Sequence, residues 1–280
     1  MICLNKIKLI KSPELYQGQK KMNSLNSYFE GWYFRNYSDK YNISFIPSIS
    51  SNGENKSAFI QVITNSNSYF VSFPFEEFKF SNYPFYIKIA NNFFSKDKIH
   101  IDISSDNLFI KGTVNYSNIS QIQKSLLSPN IMGPFCYLPF MECNHAILSM
   151  KHEVNGSLSI NDNLLEFDKG IGYIEKDWGT SFPKNYIWIQ ANNFKNSETS
   201  FFLSIANIPL KLIKFTGFIC VLNTKKEYRF TTYNMAKIEK IKNNAQTLEI
   251  ILTKEDIKLS IIAKKGNSNK LIAPNKRKHE

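Results

Sequence analysis

The sequence is poor in the residues that build redox, metal and phosphate sites. Four cysteines occur in 280 residues, Cys3, Cys136, Cys143 and Cys220. No two form a CxxC pair, and the Cys136–Cys143 spacing is too wide for a zinc knuckle. Neither a disulfide framework nor a metal site is expected, and the thiols read as reduced and structural in a cytoplasmic protein. There is no Gly-rich phosphate loop, no GxSxG elbow, no HExxH and no dinucleotide fingerprint, so no cofactor is expected either. Long apolar runs are missing as well. No window approaches the ~18 apolar residues of a membrane span. The opening "MICLNKIKLIKSPELY" is interrupted by Lys every few residues, unlike a signal peptide. Acids are outnumbered, 23 against 35 Lys and Arg, for a net charge of +12. The lysines are dispersed, which suits an AT-rich bacterial genome better than a nucleic-acid footprint. No nucleic-acid partner is expected; a weak contact with a membrane surface is the partner the charge leaves open.

What the chain has in abundance is aromatic residues and alternation. Phe and Tyr number 23 and 14, and such residues favour strands and line apolar pockets. "KIHIDIS", "NLFIKGTVNY", "GSLSIN", "TLEIILT" and "DIKLSII" alternate apolar and polar residues, and Asn, Ser, Gly and Asp clusters separate such runs. "EVNGSLSI" reads as a hairpin with Asn155-Gly156 at its turn. No segment keeps a 3.6-residue period, so the class is all-β with a few short helices. "QIQKSLLSPNIMGPFCYLPFMEC", with three prolines, breaks the pattern and suggests a boundary between two β-rich halves, 1–135 and 136–280.

Chemistry concentrates in "GYIEKDWGTSFPKNYIWIQANNF", residues 172–194. Alternate strand residues share a face, so Tyr173, Glu175 and Asp177 fall on one side and Ile174, Lys176 and Trp178 on the other. Lys176 resists burial, which turns its face to solvent and points Glu175 and Asp177 inward. Two carboxylates about 6.5–7 Å apart in an apolar lumen would raise each other's pKa and give a proton donor near neutral pH. The alternative is two exposed acids beside Lys176 at a strand end. In the next strand Tyr186, Trp188, Gln190 and Asn192 share a face opposite Ile187, Ile189 and Ala191. Aromatics with amides suit a ligand wall or an inter-domain contact. "SYFEGWYFRN" repeats the arrangement, with Glu30, Trp32 and Phe34 on one face and Phe29, Tyr33 and Arg35 on the other. His145 and His152 are seven apart and so lie on opposite faces of a regular strand. That spacing prevents shared metal binding unless the strand bulges, and His145 reads instead as a hydrogen-bonding residue of the cavity or as a structural histidine.

Taken together, "YFEGWYFRN" at 28–36, "GPFCYLPFMECNHAILSMKHEVNGSLSI" at 133–160 and "GYIEKDWGTSFPKNYIWIQANNF" at 172–194 resemble the tocopherol cyclase-like family, whose wider relatives include carotenoid hydratases. The resemblance implies two lipocalin- or calycin-like antiparallel β-barrel halves packed together. It also implies cofactor-free, acid-catalysed cyclisation of a prenylated quinol or related polyene in an apolar barrel cavity. Asp177 and Glu175 would then be catalytic, and Glu30, Trp32, Trp188, Gln190 and Asn192 would contact the substrate. Tyr173, Tyr186 and His145 join them as cavity-facing residues, and Trp178 does so if the strand ends or bulges at Gly179. The other reading is a non-catalytic, lipocalin-like binder of an apolar small molecule.

Overall fold

The computed structural model describes residues 9–139, 141–210, 213–266, 268 and 271. The described chain is all-β and antiparallel, and it divides between Phe182 and Pro183 into two compact units. The boundary expected at 135/136 falls instead in the connection between two neighbouring strands of one sheet. None of the described helices is long and apolar enough to cross a membrane.

The first unit is one eleven-stranded sheet. A short helix, α1 (Gly18–Ser24), precedes β1 (Ser27–Tyr37), β2 (Asn42–Asn52), β3 (Asn55–Ile63) and β4 (Ser68–Phe73). Then follow β5 (Phe78–Asn82), β6 (Phe85–Ile89), β7 (Asn92–Ser95), β8 (Lys98–Ser105) and β9 (Leu108–Ser120). Two long strands, β10 (Cys143–Ile160) and β11 (Asn163–Gly179), complete it. The order is β4-β3-β2-β1-β11-β10-β9-β8-β7-β6-β5, so β11 sits at the middle beside β1 and β10. The sheet curls until β3 touches β6. Alternation decides which face turns inward. Ile99, Ile101 and Ile103 of β8 join Phe34, Phe45, Ile60, Ile87 and Phe94 in one buried cluster that fills the concave side. The concave side therefore holds a packed hydrophobic core.

β10 and β11 form a hairpin, but its turn is Asn161-Asp162, not Asn155-Gly156. Asn161 and Asp162 both have positive φ, 44° and 66°, as a two-residue type I′ turn requires. Gly156 lies inside β10 at a bulge, where a Cβ would come 2.4 Å from the Thr113 carbonyl of β9. Glycine there serves close backbone approach, which looks the same in sequence as a turn.

Lys176 overturns the expected direction of β11. It is fully buried on the concave face with Ile174 and Trp178, and Glu175 and Asp177 project from the outer face. Burial pulls the Lys176 pKa down, and the neighbouring Glu30 carboxylate opposes that shift. The ammonium has three N–H donors and meets three acceptors: Glu30 Oε1 at 2.5 Å, Pro13 O at 2.8 Å and Leu15 O at 2.7 Å. The Trp32 and Trp178 rings each lie 4.8 Å from Nζ. Glu30 also accepts from Tyr28 OH at 2.8 Å and from the Gln17 N–H at 2.9 Å. Trp32 Nε1 donates to Glu14 O at 2.9 Å. The segment 13–17 is thereby strapped to β1 and β11 by a fully bonded buried ion pair.

The second unit has a four-stranded sheet of β12 (Tyr186–Ala191), β13 (Ser200–Leu210), β14 (Ile213–Asn223) and β15 (Glu227–Thr231). A three-stranded sheet follows, with β16 (Lys237–Asn243), β17 (Thr247–Lys254) and β18 (Ile257–Lys264). Leu203, Ile205, Cys220, Phe230, Ile250 and Leu252 bury one core common to both sheets. Ile187, Ile189 and Ala191 pack against it, as the aliphatic face of β12 requires.

Removing one member of a buried ion pair strands the other. K176M should lower unfolding stability by about 3–5 kcal/mol, measured by urea denaturation, and E30Q/K176M should recover part of that loss. A K176M protein as stable as wild type would show that the pair does not hold the strap.

Candidate active site

The site is built by register. β1 and β10 flank β11, and antiparallel pairing sets His145 opposite Asp177 and Tyr33 opposite Glu175. Directly opposed residues share a face. Tyr33, His145, Tyr173, Glu175 and Asp177 therefore meet on the outer face of the sheet. His145 Nδ1 lies 2.8 Å from Asp177 Oδ1, and His145 Nε2 lies 3.7 Å from Glu175 Oε2. Tyr173 OH donates to Glu175 Oε2 at 2.6 Å. The Tyr33 ring meets Tyr173 edge-on at 6.2 Å, and its OH accepts from Ser44 Oγ at 3.0 Å. The His145 N–H points to Met132 Sδ at 3.1 Å, so the segment before β10 folds back over this edge of the cluster.

Accessibility separates the two acids. The Glu175 side chain is 6% exposed and the Asp177 side chain 27%. Burial alone would lower the His145 pKa. The Asp177 charge and hydrogen bond, with Glu175 behind them, outweigh it and raise the pKa above the ordinary value. Burial, together with the charge and hydrogen bond of Glu175, pushes the Tyr173 phenol well above its usual range, so it remains a donor. The arrangement is an imidazole held between two carboxyl groups, one locked by a phenol and one reachable from outside. His145, Glu175 and Asp177 each offer a ligand atom within 4.8 Å of the others. The same donor set could hold a divalent cation in place of the shared proton.

Of the residues the sequence singled out, the structure brings Tyr173, Glu175, Asp177 and His145 together. Glu30, Trp32 and Trp178 lie on the opposite, concave face, 0%, 0% and 5% exposed. They hold Lys176 rather than a ligand. Tyr186, Trp188, Gln190 and Asn192 belong to the second unit. There Tyr186 and Trp188 border an open groove of about 500 Å³ with Leu248, Ala263, Lys264 and Lys265. Gln190 Nε2 is buried with no hydrogen-bond partner among the described residues, and Asn192 is fully buried. Tyr33 was missed as a site residue. Its signal was its place on the odd-numbered face of β1, opposite the Glu30 face.

His152 behaves oppositely to His145. It lies on the concave face, opposite to His145 as their spacing predicts, and over Gly172, where a Cβ would sit 1.9 Å from its Nε2. Nδ1 pairs with Ser149 Oγ at 2.9 Å, and the ring lies 4.4 Å from that of Tyr116. Burial lowers its pKa to about 3.

These features define an all-β protein with a hydrogen-bonded acid–imidazole cluster on its longest hairpin. The family model described as "Tocopherol cyclase-like" matches residues 107–250, just over half of the 280-residue chain, and the chain belongs to that family. The match contains β10, β11 and the whole cluster except Tyr33. Among solved structures, CghA with Sch210972 is similar at 8% identity, covering 84% of this chain and 75% of its own, with a TM-score of 0.52. Kievitone hydratase from Nectria haematococca is similar at 11% identity, covering 85% and 77%, with a TM-score of 0.46. No curated protein sequence matches the chain.

The two histidines should tilt stability in opposite directions with pH. His152 takes a proton in the unfolded chain near pH 6.5 but in the fold only near pH 3. Its contribution is complete above pH 6.5 and is lost as pH falls through that window, by up to about 5 kcal/mol. His145 has a raised pKa, so its contribution is complete below pH 6.5 and is lost as pH rises through the folded value. Urea midpoints measured across pH should show H152L flattening the acid limb and H145Q flattening the neutral-to-alkaline limb. An unchanged acid limb in H152L would exclude a neutral buried His152.

Proposed function

We propose that the protein catalyses a cofactor-free proton-transfer reaction, the cyclisation or hydration of an apolar substrate carrying an alkene, such as a prenylated quinol. The observation that carries this reading is the 2.8 Å bond between His145 and Asp177, with Asp177 the more accessible of the two acids. In the proposal a proton on Asp177 Oδ2 is delivered to one alkene carbon. The His145 ring N–H donates to Oδ1, which orients the carboxyl and holds the carboxylate left behind. The resulting tertiary cation is captured by the substrate's phenol oxygen, which closes a ring without change of mass, or by water, which adds one molecule of it. The captured oxygen loses a proton, and Asp177 is reprotonated. Glu175, fixed by Tyr173, adds to the upward shift of the His145 pKa and is a positioning residue. Family membership supports the reaction class, and the site geometry supports the division of roles.

The test is turnover of a prenylated hydroquinone in D2O, with the product analysed by mass spectrometry. Wild type should place one deuterium at the protonated carbon. D177N should lose about 10²–10⁴-fold in kcat while still binding substrate. Activity should fall as pH rises through the raised pKa of His145, and H145Q should remove that limb. A D177N enzyme as active as wild type would sink the proposal. Tight binding of such ligands with no turnover by wild type would instead favour a non-catalytic binder.

A further inference from the structure

The segment between β9 and β10 carries a feature that the acid cluster does not use. Leu126 and Leu127 are 80% and 76% exposed and adjacent, at the tip of a tight turn. Turn tips normally carry Gly, Asn, Asp, Ser or Pro, so two leucines there have no folding rationale. The turn is rigidly made. The Ser125 N–H donates to Ser128 O at 3.0 Å, and the Ser128 N–H donates back to Ser125 O at 3.2 Å. Tyr137, itself 40% exposed, clamps the tip by donating its OH to Leu126 O at 2.8 Å. On either side the segment is anchored by buried Ile122, Asn130, Ile131 and Met132. Lys124 lies two residues before the leucines in a chain of net charge +12.

We infer that this turn is a membrane-contact device that seats the protein on an anionic lipid surface. Leu126 and Leu127 enter the hydrocarbon boundary, Tyr137 lies at headgroup level, and Lys124 and the overall positive charge meet acidic headgroups. The occupant follows from the shape of the patch. Two leucines and a tyrosine on a protruding tip fall far short of the roughly 20–30 residues a side that a stable protein interface uses. A bilayer deforms around such a tip and needs no complementary surface. The position has a functional sense too. The same segment continues to Met132, whose sulfur meets the His145 backbone, so the tip and the acid cluster are joined by a short, anchored stretch of chain.

The test is co-sedimentation of the full chain with phosphatidylcholine vesicles, with and without phosphatidylglycerol. Wild type should pellet with the anionic vesicles, and added salt should weaken the binding. L126S/L127S should lower the partition coefficient by at least roughly tenfold, with thermal unfolding unchanged because neither side chain is packed. In L126W the new indole should give blue-shifted emission on addition of anionic vesicles, which reports insertion even if the double variant fails to fold. Absence of vesicle binding by wild type, equal binding by L126S/L127S, or L126W emission unaffected by bound vesicles would each overturn the inference. Turnover of detergent-dispersed substrate reads the proton chemistry separately, so neither proposal depends on the other's outcome.

Discussion

The first unit depends on one buried interaction, the Lys176–Glu30 ion pair inside the curled sheet. A lone ammonium in such a place would be strongly unfavourable. It is tolerable here because every donor has an acceptor and two indole faces complete the enclosure. Two of those acceptors are carbonyls of Pro13 and Leu15, so satisfying the charge also fixes the segment that leads into α1. That segment is consequently tied to β1 and β11.

That constraint decides where the chemistry lies. A strand has two faces and no third option. With Lys176 inward, its neighbours Glu175 and Asp177 must face outward. Pairing with β10 and β1 then brings His145 and Tyr33 to the same face. The curled sheet thus has a concave side filled by its hydrophobic core and an outer face that carries the acid–imidazole cluster. The two histidines of β10 show the same division. His145 lies between two carboxyl groups on the outer face with its pKa raised, and His152 lies over Gly172 in the core with its pKa lowered to about 3.

The cluster and the leucine turn share one connection. The segment between β9 and β10 breaks strand pairing because of its prolines, and a segment free of pairing can both project a tip and fold back on the start of β10.

Much of this was legible in sequence. Alternation in "KIHIDIS" and its counterparts gave all-β structure, because burial of one sheet face imposes a period of two. The same period put Tyr173, Glu175 and Asp177 on one face and Ile187, Ile189 and Ala191 on another, and both groupings hold. What alternation cannot supply is the sign, that is, which face turns inward. The rule that Lys avoids burial gave the wrong sign at Lys176, since its partners Glu30, Pro13 and Leu15 are distant in sequence. Asn155-Gly156 misled for a similar reason, as the backbone that Gly156 must admit belongs to β9. Residue types and local periodicity were thus determined by the sequence itself. The direction of the acids and their meeting with His145 were decided only in three dimensions, because each rests on pairing between strands far apart in the chain.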